Sequence, residues 1–202
     1  MKEQIDMLQY EKEFLSQGKK LIAGIDEAGR GPLAGPVVAG AVVLPSGLII
    51  EGVDDSKKLS EKKREKLYDE IEKKAVSFGI GIVSPAEIDE INILQATRKA
   101  MKEAVCALSV KPDILLIDAV HLPDITISQR SIIKGDAKSL SIAAASIMAK
   151  VTRDRLMVEY AKLYPEYGFE SNKGYGSQEH IAALEKYGPC PIHRKSFIKN
   201  FV

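Results

Sequence analysis

Short apolar runs alternate along the chain with stretches in which apolar residues recur three or four positions apart, so strands and helices are predicted in turn. Residues 3–16 read as a short helix. LIAGID (21–26) is then a run of strand length that stops at two acids and a glycine-rich stretch. PVVAGAVVL (36–44) is a second strand, and Pro45 with Gly47 marks the turn after it, so a hairpin with the first strand is expected. Ser60 has the chemistry of a helix N-cap, and Leu67 and Ile71 stand four apart in the segment that follows. AVSFGIGIVS (75–84) is a third strand; Ser84-Pro85 opens a short helix with proline in its first turn, and a longer helix covers about 92–109. DILLID (113–118) is a continuous apolar run closed by an acid, the pattern of a strand covered on both faces. ISQRSIIKGD (127–136) is expected to be the last strand, and residues 139–164 a long helix whose alanines and serines permit close backbone packing. A shorter helix near 177–186 precedes an irregular, proline-rich tail. Strands first, with helices between and after them, predict an α/β domain with a mixed central sheet and a helical C-terminal portion.

Composition narrows this further. With 202 residues, 45% hydrophobic and 28% charged, the chain can bury one sizeable core and does not have the make-up of a disordered segment. Cys106 and Cys190 lie far apart and are read as having no second Cys or His at zinc-ligand spacing beside either one, which points to a reduced cytoplasm. No apolar run reaches the roughly 20 residues needed to span a bilayer, and the first residues do not read as a signal peptide, so neither a membrane nor secretion is expected. Monomer is the default expectation.

Net charge is only +1, but its distribution is uneven. Between residues 129 and 155, Arg130, Lys134, Lys138, Lys150, Arg153 and Arg155 exceed Asp136 and Asp154 by four charges. From residue 171 onward, Lys173, Lys186, Arg194, Lys195 and Lys199 exceed Glu179 and Glu185 by three. Two basic stretches in a balanced chain suit a phosphate backbone, or equally a solvated charged face.

The acids carry more information. Asp26-Glu27 closes one strand and Asp118 another, so if the two strands are neighbours these carboxylates meet at one end of the sheet over an apolar floor. Grouped carboxylates repel unless neutralised, and hard oxygen donors without a His or Cys set favour Mg²⁺ or Mn²⁺. The plainer alternative is that such acids cap turns. Asp136 precedes the long helix, where an N-cap role competes with a catalytic one, and Asp154 sits between arginines in mid-helix, where an ion-paired or solvated face is expected. After Asp26-Glu27 come Gly29-Arg30-Gly31, whose glycines let backbone amides approach a sugar or phosphate, or simply form a turn. Neither a Walker A loop nor a dinucleotide fingerprint is present.

Ile25-Asp26-Glu27-Ala28-Gly29-Arg30-Gly31-Pro32 resembles the signature of the ribonuclease HII family. Asp54-Asp55-Ser56-Lys57-Lys58-Leu59, Leu116-Ile117-Asp118, Lys134-Gly135-Asp136, Ala143-Ala144-Ala145-Ser146-Ile147 and Asn172-Lys173-Gly174-Tyr175-Gly176 follow in that family's order, as do Gly188-Pro189 and His193-Arg194-Lys195-Ser196-Phe197. The resemblance implies a single ribonuclease H-like catalytic domain over 1–202, with about 165–202 as a C-terminal substrate-binding portion. It implies that Asp26, Glu27, Asp118 and Asp136 are the catalytic, metal-ligating carboxylates of a two-metal site using Mn²⁺ or Mg²⁺. It further implies cleavage of the RNA strand of RNA/DNA hybrids, and 5′ of single ribonucleotides in duplex DNA, leaving 5′-phosphate and 3′-hydroxyl ends. Gly29, Arg30 and Gly31 would read the 2′-hydroxyl and Tyr175 would stack at the ribo–deoxy junction, although an amphipathic tyrosine at the core's rim is the plainer account of it. Lys57, Ser146, Lys173, His180 and Arg194 are expected phosphate contacts. Two other readings remain: a nucleic-acid-binding module without catalysis, resting on the basic stretches, and a nucleotide phosphotransferase, which lacks a phosphate-cradling loop.

Overall fold

The computed structural model describes residues 6–53 and 59–201. One sheet contains β1 (Ile22–Ala28), β2 (Val37–Val43), β3 (Ser77–Val83), β4 (Ile114–Asp118) and β5 (Gln129–Ile132), in the order β3-β2-β1-β4-β5. β1 pairs antiparallel with β2, and β2 with β3, whereas β4 runs parallel to β1 and β5 parallel to β4. The expected hairpin of β1 with β2 is present, and the sheet is mixed.

The helices are α1 (Gln9–Ser16), α2 (Glu61–Lys74), α3 (Pro85–Cys106), α4 (Leu140–Leu163), α5 (Phe169–Asn172), α6 (Gln178–Tyr187) and α7 (Lys195–Ile198). α3 is interrupted at Asn92, which adopts φ 67° and accepts from the Leu94 and Gln95 amides at 3.0 and 3.1 Å. A fresh N-cap therefore starts the longer helix where the sequence pattern expects it. The last strand is shorter than expected: it stops at Ile132, Lys134 turns left-handed at φ 56°, and Gly135–Ala137 form a 3-10 turn into α4. A left-handed residue cannot continue an extended strand, and that ends the ladder.

α3 covers one sheet face, packing Ile88, Ala96, Ala100, Met101 and Ala104 on Ala23, Ile25, Val37, Ala39, Ala41 and Val43. α4 covers the other, with Leu67 and Ile71 of α2 packed outside it. The approach of α4 is close enough to need Gly24, since a Cβ there would lie 2.0 Å from the Ser141 carbonyl carbon. Ser139, rather than Asp136, caps α4 by accepting from the Ile142 amide at 3.3 Å. Glu11 of α1, itself buried, accepts from the Ser139 hydroxyl at 2.6 Å and the Ser141 amide at 3.0 Å, setting a carboxylate at the positive end of α4. The chain after α4 folds back on that helix, and Tyr167, Phe169, Ala183 and Ile192 close a further cluster with Met157, Ala161 and Ala34. Among the described residues no helix is long and apolar enough to cross a membrane.

Candidate active site

The parallel register of β1 and β4 pairs Ile25 with Ile117, so Asp26 and Asp118 follow side by side; Asp118 ends β4, whereas β1 runs on to Ala28 with Asp26 still paired to Gly40 of β2, two residues beyond the strand end expected from the sequence. Both lie on the face covered by α4, which presents the Ser146 hydroxyl as a donor to the Asp26 carboxylate. The Asp26 Oδ1 also accepts from the Glu27 amide at 2.7 Å, and the Gly135 amide donates to Asp118 Oδ1 at 2.8 Å. Burial, then the negative charge of Glu27 and, less strongly, of Asp118, push the Asp26 carboxyl well above the usual carboxylate range. The bonds from Ser146 and the Glu27 amide oppose that rise without cancelling it. Glu27 faces a cation of its own, Arg30 Nη1, at 3.4 Å. Asp136 is buried in the 3-10 turn that begins at the Asp118-bound Gly135.

Asp26, Glu27 and Asp118 thus share one electrostatic neighbourhood, with Asp136 on the turn bound to it. Their oxygens are hard donors in a place where unneutralised charge is disfavoured, which suits a divalent cation. Among the described residues no three His, Cys, Asp or Glu side chains already form a group able to hold a metal ion.

Beside the acids, residues 29–36 form a loop held from beneath by two buried arginines. Arg153 of α4 donates to the carbonyls of Pro36, Lys173 and Ala34 at 2.9, 2.9 and 3.0 Å. Arg194 donates to the carbonyls of Gly29, Arg30 and Gly35 at 2.6, 3.0 and 2.8 Å. Burial and then the Arg153 charge pull the Arg194 pKa down to about 9, which leaves it a cation at neutral pH. Gly29 adopts φ +95°, and a Cβ there would lie 2.1 Å from Arg153 Nε. The Leu33 and Ala34 amides donate to the Gly174 carbonyl at 2.8 and 3.3 Å, so the loop is stitched to the segment carrying Tyr175. The ring of Tyr175, 46% exposed, borders Gly31, with Lys150 and Arg153 about 6 Å from its centroid.

Several expected phosphate contacts stand elsewhere. Arg194 and His180 are fully buried, the first gripping loop carbonyls and the second bound to the Tyr175 carbonyl at 2.8 Å, so neither presents a donor to solvent. Ser146 is also buried and serves Asp26. Lys173 donates to the Glu170 carbonyl and lies 3.7 Å from Glu61. Lys57, with the rest of 54–58, lies outside the described residues. Asp154 is ion-paired but buried, with Lys150 at 2.7 Å and Arg64 at 3.8 Å. Arg155 meets Glu65. Much of the basic surplus read from the sequence is thus engaged within the molecule, while Arg130 and Lys134 stay exposed. The sequence reading counted Arg153 only as basic surplus and His193 only within a family-like block, and gave neither a role in the site; the three-residue interval from Cys190 to His193 was the one local signal for the latter.

The fold and the strand-end acids define the class, a ribonuclease H-like α/β protein. The family model for ribonuclease HII matches residues 23–200. A ribonuclease HII of Acetivibrio thermocellus is 65% identical over 198 residues, which span 98% of this chain and 77% of the relative. The crystal structure of ribonuclease H2 from Pyrococcus horikoshii superposes with a TM-score of 0.75 at 30% identity, covering 90% of this chain and 96% of that one. Ribonuclease HII in its complex with PCNA from Archaeoglobus fulgidus gives 0.72 at 28% identity, covering 89% and 96%. The chain belongs to the ribonuclease HII family, metal-dependent endoribonucleases acting on RNA/DNA hybrids.

Proposed function

We propose that this protein incises the RNA strand of RNA/DNA hybrids, and the 5′ side of single ribonucleotides in duplex DNA, at a site formed by Asp26, Glu27, Asp118 and Asp136, leaving 5′-phosphate and 3′-hydroxyl ends. The observation that carries this reading is the parallel register setting Asp26 beside Asp118, with Asp26 buried among negative charge that a divalent cation would relieve. Two such ions, Mg²⁺ or Mn²⁺, supply water activation and stabilisation of the leaving oxygen when the substrate is bound. Asp26 and Asp118 hold this charge on the α4 face, Ser146 and the Gly135 amide keep their carboxylates oriented, and the apolar sheet beneath excludes bulk water. The Gly29-Arg30-Gly31 segment, fixed from below by Arg153 and Arg194, turns its backbone toward the 2′-hydroxyl, the group that separates a ribonucleotide from its DNA neighbours. Tyr175, bordering Gly31, stacks at the ribo–deoxy junction. Residues from about 165 onward act as the substrate-binding portion of one catalytic domain, working as a cytoplasmic monomer.

The deciding experiment incubates the protein with a DNA duplex containing one ribonucleotide, and with a long hybrid, in Mg²⁺ or Mn²⁺. Incision 5′ of the ribonucleotide is expected. Asp26→Asn and Asp118→Asn should each lower the rate on the order of 10³-fold or more while substrate binding survives. No incision by well-folded protein overturns the reading and returns the chain to a binding role.

A further inference from the structure

The carbonyl of Tyr175 is the end of a buried chain of hydrogen bonds that runs through two histidines. The Cys190 amide donates to His193 Nδ1 at 2.9 Å. A ring nitrogen that accepts carries no proton, so the proton of neutral His193 sits on Nε2. That atom is 3.0 Å from His180 Nε2, and the donor of this pair must be His193. His180 therefore carries its own proton on Nδ1, 2.8 Å from the Tyr175 carbonyl. A backbone donor at one end and a backbone acceptor at the other fix both tautomers and the direction of the chain.

The surroundings keep the rings neutral. Both histidines are buried, with Phe169 edge-on to His180 at 5.3 Å and Tyr167 edge-on to His193 at 4.9 Å between centroids. Two apolar side chains would fill this space as well; the polar pair adds a defined endpoint, since a fully satisfied buried network specifies one geometry. The endpoint is the main chain of Tyr175, whose carbonyl also accepts from the Ser177 amide at 2.8 Å and whose ring borders Gly31.

We infer that His180 and His193 are positioning residues: their directional hydrogen-bond chain holds the Tyr175 backbone so that its ring stands at the correct place beside the Gly29-Arg30-Gly31 loop. This rests on the reading of Tyr175 as the junction residue. Neither histidine meets the substrate. Both act through Tyr175.

The test compares kcat and KM on a duplex with one ribonucleotide for His180→Leu, which loses the donor, and His180→Asn, whose side-chain amide retains one at the Nδ1 position, each with and without Tyr175→Ala. His180→Leu should lower kcat by roughly tenfold to a hundredfold with little change in KM, as expected of a misplaced group. His180→Asn should recover most of this. In the Tyr175→Ala background His180→Leu should cause no further loss, because both changes remove the same contribution. An equal loss in both backgrounds, an asparagine no better than leucine, or a fully active His180→Leu overturns the inference. Full activity of Tyr175→Ala alone overturns the junction reading itself, which keeps the two failures apart. Should His180→Leu not fold, nitrogen NMR of the wild-type histidines decides: Nδ1–H on His180 and Nε2–H on His193 are expected at pH 7, and the reverse tautomers or a charged ring sink the inference.

Discussion

On the proposed function, Asp26 serves catalysis at a cost in stability. Its carboxylate is buried beside two others, so above the ordinary carboxylate pKa, where the unfolded chain ionises freely, the folded state bears the burden of that charge. Asp26→Asn should therefore raise the thermal midpoint in metal-free buffer while abolishing incision, which paired calorimetry and activity assays would register. The glycines of the loop separate the same two properties. At Gly29 the backbone is left-handed and a Cβ would strike Arg153, so Gly29→Ala should lose about 3 kcal/mol in urea unfolding. At Gly31 a Cβ would find only the Tyr175 ring, at 3.9 Å. On the proposed function, Gly31→Ala should unfold like the parent yet cut a single-ribonucleotide duplex at least about tenfold more slowly, because a methyl group would then stand where that proposal brings a sugar.

At the scale of elements, α4 does more than cover the sheet. Its amino-terminal half brings Ser146 to Asp26, and a later turn carries Arg153 to three carbonyls on two separate segments. A lysine cannot reproduce that fork. Arg153→Lys should cost about 3 kcal/mol and loosen both the loop and the Tyr175 segment, visible as faster amide exchange there. The region from α6 to residue 194 responds to pH through its histidines. Burial, then the neighbouring His180, lower the His193 pKa from 6.5 to about 4. Since the unfolded histidine takes up its proton first, stability is fully present above pH 6.5 and declines as pH falls toward 4, by about 3 kcal/mol at roughly 1.4 kcal/mol per unit. Denaturant midpoints for the parent and for His193→Gln across that window should converge at low pH.

For the whole molecule, the distribution of charge governs the encounter with nucleic acid, but only through cations not already engaged inside. Arg30, although 3.4 Å from Glu27, keeps its side chain 45% exposed, and Arg30→Ala should reduce the slope of log affinity against log salt by about one for a hybrid duplex. Much of the architecture was legible from the chain: the alternation of apolar runs marked every strand, the N-cap at Ser60 and the helix opened by Ser84-Pro85 were in place, and Asp118 stood at a strand end. Local pattern suffices there because a strand or cap is decided by neighbouring residues. Arg194, His180 and Ser146, read as phosphate contacts, are buried and bonded within the protein, and the internal roles of Arg153 and His193 were not read, for a common reason. A cation or imidazole on paper carries no sign of whether it faces solvent, and the carbonyls that Arg153 and Arg194 grip in the loop lie 117 to 165 residues away. The sequence by itself determined which segments extend and which acids they carry, though not where β1 and β5 stop. Only the tertiary structure decided which charges are buried, which carbonyls they hold and how the Tyr175 segment meets the glycine loop, because burial and partner choice depend on contacts between parts of the chain that local order does not join.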